Sequence, residues 1–240
     1  MDRMTGVSEP HFILARDLGL NTIRTKGYEH IDLDLASNQA HAICGEHGSG
    51  KIELLLTLAG RMHRSEGDLH VAGIDATTLR GVNKVRKLAA LGFFDNVNDV
   101  ERVLRVRTVT SAELSLAGVR SNRAACEEYL DRWGLSQVAD GNIEELTSYE
   151  YHRLGIALAM AQSPQVLAVQ DVERDLTEHQ AHKLVDELRE LAATQGVTVV
   201  CGVTDYDLAA CFDTATCITD GARAQQAAYL RRYGMAREVA

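Results

Sequence analysis

The stretch GEHGSGKIE, residues 45–53, follows the short apolar run HAIC (residues 41–44) and opens IELLLTLAG, a helical pattern that stops at Gly60. A strand running into a glycine loop and then a helix lets successive backbone N–H groups converge on phosphate oxygens, with the helix N-terminus adding its positive end. Gly45, Gly48 and Gly50 permit the curl, Ser49 lies among them, and Lys51 is placed to reach the outer phosphates. These residues and Ile52 form the candidate nucleotide-contacting set. In the full pattern G-x-x-x-x-G-K-[ST] the last residue carries a hydroxyl that binds Mg²⁺, and Ile52 has no oxygen to offer. A structural turn without ligand is the alternative reading of the loop.

Working outward, VLAV (166–169) and VTVVCGV (197–203) read as buried parallel strands. Between them Thr177 and Gln180 form a capping box. Ala181, Leu184, Val185, Leu188, Leu191 and Ala192 then recur at helical spacing until Gly196. The order strand, helix, strand implies a parallel α/β sheet. Residues 100–162 are almost wholly helical in pattern, with Cys126, Tyr129, Leu130 and Trp133 on one stripe and LGIALAMAQ apolar nearly all round. A helical insertion into an α/β core fits this texture. In CITDGARAQ the pair Asp220-Gly221 signals a hairpin.

Composition narrows the functions open to such a fold. The chain of 240 residues is 45% hydrophobic, enough for a sizeable core, and its net charge of −9 does not suit nucleic acid or an anionic membrane surface. It has no uninterrupted apolar run of about eighteen residues and no secretion signal at its start, so a cytosolic protein is expected. Cys44, Cys126, Cys201, Cys211 and Cys217 form no CxxC pair and are read as reduced core residues. His179 and His182, without a matching acid or cysteine cluster, are read as part of a solvated helix face.

Taken together and in order, these segments resemble the ATP-binding subunits, or nucleotide-binding domains, of ABC transporters. GEHGSGKIELLLTLAGRMHRSEGDLHVAGID is similar to the family's Walker A loop, helix and following strands, and LAALGFFDN to the strand before its Q-loop. TVTSAELSLAG is similar to the start of its helical subdomain, and DRWGLSQVADGNIEELTSYEYHRLGIALAMAQSPQVLAVQD to the run through the signature motif to Walker B. The resemblance implies a single P-loop NTPase-like domain over residues 1–240. It would have a mixed-sheet α/β core, an antiparallel β-subdomain and a helical subdomain at about 97–155. It also implies ATP or ADP as ligand, and as partners a membrane permease, a second ABC ATPase subunit, or another copy of the chain. The protein would then sit in the cytoplasm or at the inner face of the membrane.

The departures from the family pattern are as informative as the matches. The adenine-stacking aromatic falls near Thr22, with Tyr28 as a substitute from a shifted register, and the Q-loop glutamine falls on Asn96 or Asp95. The signature reads LTSYE (146–150), placing Ser148 and Tyr149 where the family has glycines. The Walker B aspartate and glutamate become Gln170 and Asp171, the D-loop aspartate becomes Thr177 and the switch histidine becomes Asp205. Asp171 is the one candidate catalytic carboxylate, and no metal site is expected. Ile52 and Gln170 together remove the groups that would hold Mg²⁺, so impaired hydrolysis is expected. Residual ATPase activity through Asp171 and a nucleotide-free interaction module are the alternatives. The family's permease-docking region falls near Val97 to Val109, whose apolar residues could equally be helical core.

Overall fold

A computed structural model describes residues 11–21 and 27–218. The expected hairpin at Asp220-Gly221 and the position of Thr22 lie outside the described residues. The chain runs β1 (Ile13–Gly19), β2 (Ile31–Leu35), β3 (Ala40–Cys44), α1 (Lys51–Leu58), β4 (Glu66–Val71), β5 (Ile74–Asp75), α2 (Leu79–Leu88) and β6 (Ala89–Leu91). It continues through α3 (Val106–Leu116), α4 (Arg123–Arg132), α5 (Ser148–Met160), β7 (Val166–Val169), α6 (Glu178–Gln195), β8 (Thr198–Val203), α7 (Tyr206–Ala209) and β9 (Thr214–Cys217). The strands sort into two sheets, one antiparallel in the order β2-β1-β4-β5 and one parallel in the order β6-β7-β8-β3-β9.

Side-chain pattern explains which strand joins which sheet. IDLDL in β2 alternates buried and exposed, as in a sheet wetted on one face, whereas every residue of β3, β7 and β8 is buried, as in a sheet covered on both. Helix α1 lies between the sheets: Leu54, Leu55 and Leu58 share a cluster with Ile13, Leu33 and Leu69 of one sheet and Ile43, Val166 and Val200 of the other. That double burial is why its sequence is apolar almost all round. On the opposite face of the parallel sheet, Leu184, Val185 and Leu188 of α6 pack against Ala42, Val199 and Cys201. The capping box of Thr177 and Gln180 starts α6, and Gly196 in the left-handed region ends it.

Between β6 and β7 the helices build a core of their own, centred on Val106, Cys126, Leu130, Leu135, Leu154 and Ala157. It joins the rest through α5, whose Gly155 lets the ring and backbone of Phe93 approach; a Cβ there would lie 2.8 Å from the ring. All five cysteines are free thiols, but Cys211 is only half-buried, just past the short α7. Among the described residues no helix is long and apolar enough to cross a membrane.

Candidate functional site

The parallel strands β3, β7 and β8 bring Gly45, Gln170 and Thr204 to one edge of the sheet, the C-terminal edge where α/β folds place their ligands. Gly45 N–H donates to Val203 O at 3.0 Å, fixing the root of the loop. Gly50 is the N-cap of α1 at φ 88° and supplies no side-chain cap. A Cβ at Gly50 would sit 2.4 Å from the Gly27 carbonyl oxygen, so both its torsion and its surroundings require glycine. Gly48 has φ 80° and open space beside it. The N–H groups of Gly48, Gly50, Lys51 and Ile52 have no protein acceptor among the described residues. Those unpaired donors at a helix N-terminus fit a phosphate group. Ser49 turns inward instead, its Oγ buried against Gly45 without a partner.

Lys51 is 2% exposed. Its Nζ donates to Gly45 O at 3.1 Å and to Thr204 Oγ1, and lies 2.9 Å from Asp171 Oδ1. Asp171 Oδ1 is off the hydrogen-bonding direction, so this contact is an ion pair held by charge. Asp171 itself is 7% exposed and has φ 39°, a left-handed torsion uncommon outside glycine, which turns its carboxylate back toward the loop. Asp171 and Lys51 are both candidates from the sequence, but nothing in it pairs them. Nor does it mark Glu173, whose Oε1 accepts the Thr204 N–H and whose Oε2 is buried and unpartnered. The one signal for Thr204 is its place directly after a buried parallel strand.

Gln170 is 7% exposed and engaged at both ends of its amide: Oε1 accepts the Asp95 N–H at 3.1 Å and Nε2 donates to Asp171 Oδ2 at 3.4 Å. Asp95, one of the two Q-loop candidates, also pairs with Arg174, while Asn96 is exposed at φ 59°. Beside this pair lies a cleft of about 120 Å³ lined in part by Phe93, Tyr151, His152, Gln170 and Arg174. Burial lowers the pKa of His152, disfavouring its charged form.

The remaining sequence candidates have local partners. Thr147 caps α5 by accepting the Glu150 N–H, and Glu150 Oε2 accepts from Thr147 N and Oγ1, closing that helix end on itself. Tyr149 donates to Glu187 at 2.8 Å and carries Lys183 over its ring. Asp205 caps α7 by accepting from Asp207 and Leu208 N–H. Tyr28 is 2% exposed and burial pushes its hydroxyl pKa up to about 12; it is part of the core, and its ring face is not open to an adenine.

Residues 28–171, from the strands before the loop to the Lys51–Asp171 pair, match the family model described as ABC transporter. The chain belongs to the ABC transporter family. It is an ABC-type nucleotide-binding domain. Curated ABC relatives include the phosphonates import ATP-binding protein PhnC 2 of Nostoc sp., 28% identical over 75% of this chain and 77% of the relative. Another is the phosphate-import ATP-binding protein PhnC of Mycolicibacterium smegmatis, 28% identical over 82% and 79%. Among solved ABC structures, cbiO1 of Clostridium perfringens superposes with TM-score 0.74 at 20% identity, covering 89% of this chain and 86% of that one. The dimeric ATP-binding cassette MJ0796 bound to ADP and Pi superposes with TM-score 0.70 at 19% identity, covering 87% and 95%. The fold is therefore that of an ABC ATPase domain.

Proposed function

We propose that this ABC transporter ATP-binding subunit holds ATP or ADP through its phosphate loop, does so without Mg²⁺, and hydrolyses ATP poorly or not at all. It serves as a regulatory or structural subunit of its transporter. Nucleotide binding is supported by the open N–H groups of Gly48, Gly50, Lys51 and Ile52. The loss of metal chemistry rests above all on Gln170. At a position where the family has a metal-neutralising aspartate, this chain has an uncharged amide already bonded to Asp95 and Asp171. Ile52, the other position concerned, packs against the core cluster between the sheets. Ile52 has no oxygen to offer an Mg²⁺ ion, and the single amide oxygen of Gln170 carries no charge and already accepts from the Asp95 N–H. The share of transition-state charge a metal neutralises is on the order of several kcal/mol, so hydrolysis without it slows by orders of magnitude.

The partners follow from the same surfaces. A dimer that sandwiches nucleotide would place α5's N-terminus over the other subunit's phosphates. Here that end is closed by its own Thr147 and Glu150, and the Glu150 carboxylate would face phosphate with like charge. This end is a poor lid, which favours pairing with a competent ABC subunit over a symmetric working pair. Val97 and Val103 are 48% and 67% exposed after the Q-loop, whereas Val106 and Val109 are buried in the helical core. The first two are therefore the proposed contact with a membrane permease, which would hold the subunit at the inner face of the membrane.

The double variant Ile52→Ser/Gln170→Asp tests the reading. Restoring the hydroxyl and the carboxylate should give Mg²⁺-dependent tightening of ATP binding and phosphate release raised at least about tenfold over wild type. If both stay at the wild-type level in a folded variant, these two residues did not disable the site.

A further inference from the structure

We propose that Asp171 is the resident counter-ion of Lys51, a built-in competitor that nucleotide phosphate must displace, and not a group that acts on the nucleotide. This rests on the reading that the loop binds nucleotide. An ammonium has three protons to share. At Lys51 two are committed to Gly45 O and Thr204 Oγ1, and Asp171 Oδ1 lies 2.9 Å away as an ion-pair partner outside hydrogen-bonding alignment. The pair's side chains are 3% and 10% exposed, so solvent screens their attraction little.

Of the three neighbours, Asp171 is the one that a phosphate can replace. Gly45 directly follows strand β3, and its N–H is tied to Val203 O. Thr204 is anchored by its N–H on Glu173. Asp171 Oδ1 has no hydrogen-bond donor and faces Lys51 by charge, the carboxylate being otherwise held by one long bond from Gln170 Nε2 to Oδ2 at 3.4 Å, and charge is what a phosphate oxygen supplies in its place. If the carboxylate stayed, it would face the phosphate across a few ångströms of low-dielectric interior, where like charges repel strongly. Glu173 adds a second negative charge beside Thr204, so the neighbourhood of Lys51 is net acidic before any ligand arrives. Nucleotide therefore binds against a standing cost, and a partner that draws Asp171 away from Lys51 would raise the subunit's affinity.

The test is Asp171→Asn, titrated with ADP and with ATP in the presence of a chelator. ADP cannot be turned over, so any gain in its affinity is independent of hydrolysis. The variant should bind both nucleotides at least about tenfold more tightly than wild type, since asparagine keeps the shape and loses the charge. Equal or weaker ADP binding by a folded variant overturns the proposal and leaves nucleotide binding by the loop intact. No binding by either protein at about 1 mM nucleotide overturns both. Should the variant not fold, wild-type protein carrying carboxyl-¹³C aspartate gives the same answer. Bound ADP should move the Asp171 carboxyl resonance toward that of a solvated carboxylate, and an unmoved resonance contradicts displacement.

Discussion

Lys51 and Asp171 sit far apart in sequence and meet because β3, β8 and β7 are successive neighbours in one parallel sheet. Each was readable by itself, the lysine from its glycine loop and the carboxylate from its place after VLAV. Their contact was not readable, because it depends on strand order and on the left-handed torsion at Asp171. Glu173 and Thr204 were missed for a related reason: an acid in a loop and a threonine after a strand have no local pattern that marks them. The buried pair makes a clear prediction. Lys51→Ala removes the cation proposed to meet phosphate and leaves Asp171 buried without a counter-charge. Breaking such a pair costs about 3 kcal/mol, reduced here to the extent that Asp171 reaches water. A lower urea midpoint together with loss of nucleotide binding is expected; a variant that binds ADP like wild type would show that Lys51 does not contact phosphate.

At the scale of elements, periodicity served the parallel sheet well. VLAV and VTVVCGV are buried on both faces, so they read as continuous apolar runs, and the capping box and Gly196 bracket α6 with little ambiguity. The antiparallel sheet was reached through the family resemblance, since β1 pairs with both β2 and β4 through long-range registers that no short window reveals. The residues near Val97 to Val109 divide in a way composition does not foretell, with two valines exposed and two in the helical core. The helical unit meets the parallel sheet at Gly155, where the Phe93 ring and backbone would lie within 3 Å of an added Cβ. Gly155→Val should therefore lower stability by about 2 kcal/mol through overpacking, read as a lower thermal midpoint. An unchanged midpoint would mean that this junction yields easily.

For the whole molecule, the two layers around α1 hold the glycine loop with the N–H groups of Gly48, Gly50, Lys51 and Ile52 unpaired among the described residues, the feature on which the proposed nucleotide binding rests. The chain keeps the architecture of an ABC nucleotide-binding domain, while Ile52 serves the core and Gln170 serves the hydrogen bonds between Asp95 and Asp171. For the whole molecule we propose nucleotide binding uncoupled from Mg²⁺ and from turnover. Its most direct test is a calorimetric titration of wild-type protein with ATP, with Mg²⁺ and again with a chelator, followed by an assay for released phosphate. The two affinities should agree within about twofold, with no steady phosphate release. Binding tightened at least about tenfold by Mg²⁺, with steady phosphate release, would contradict it.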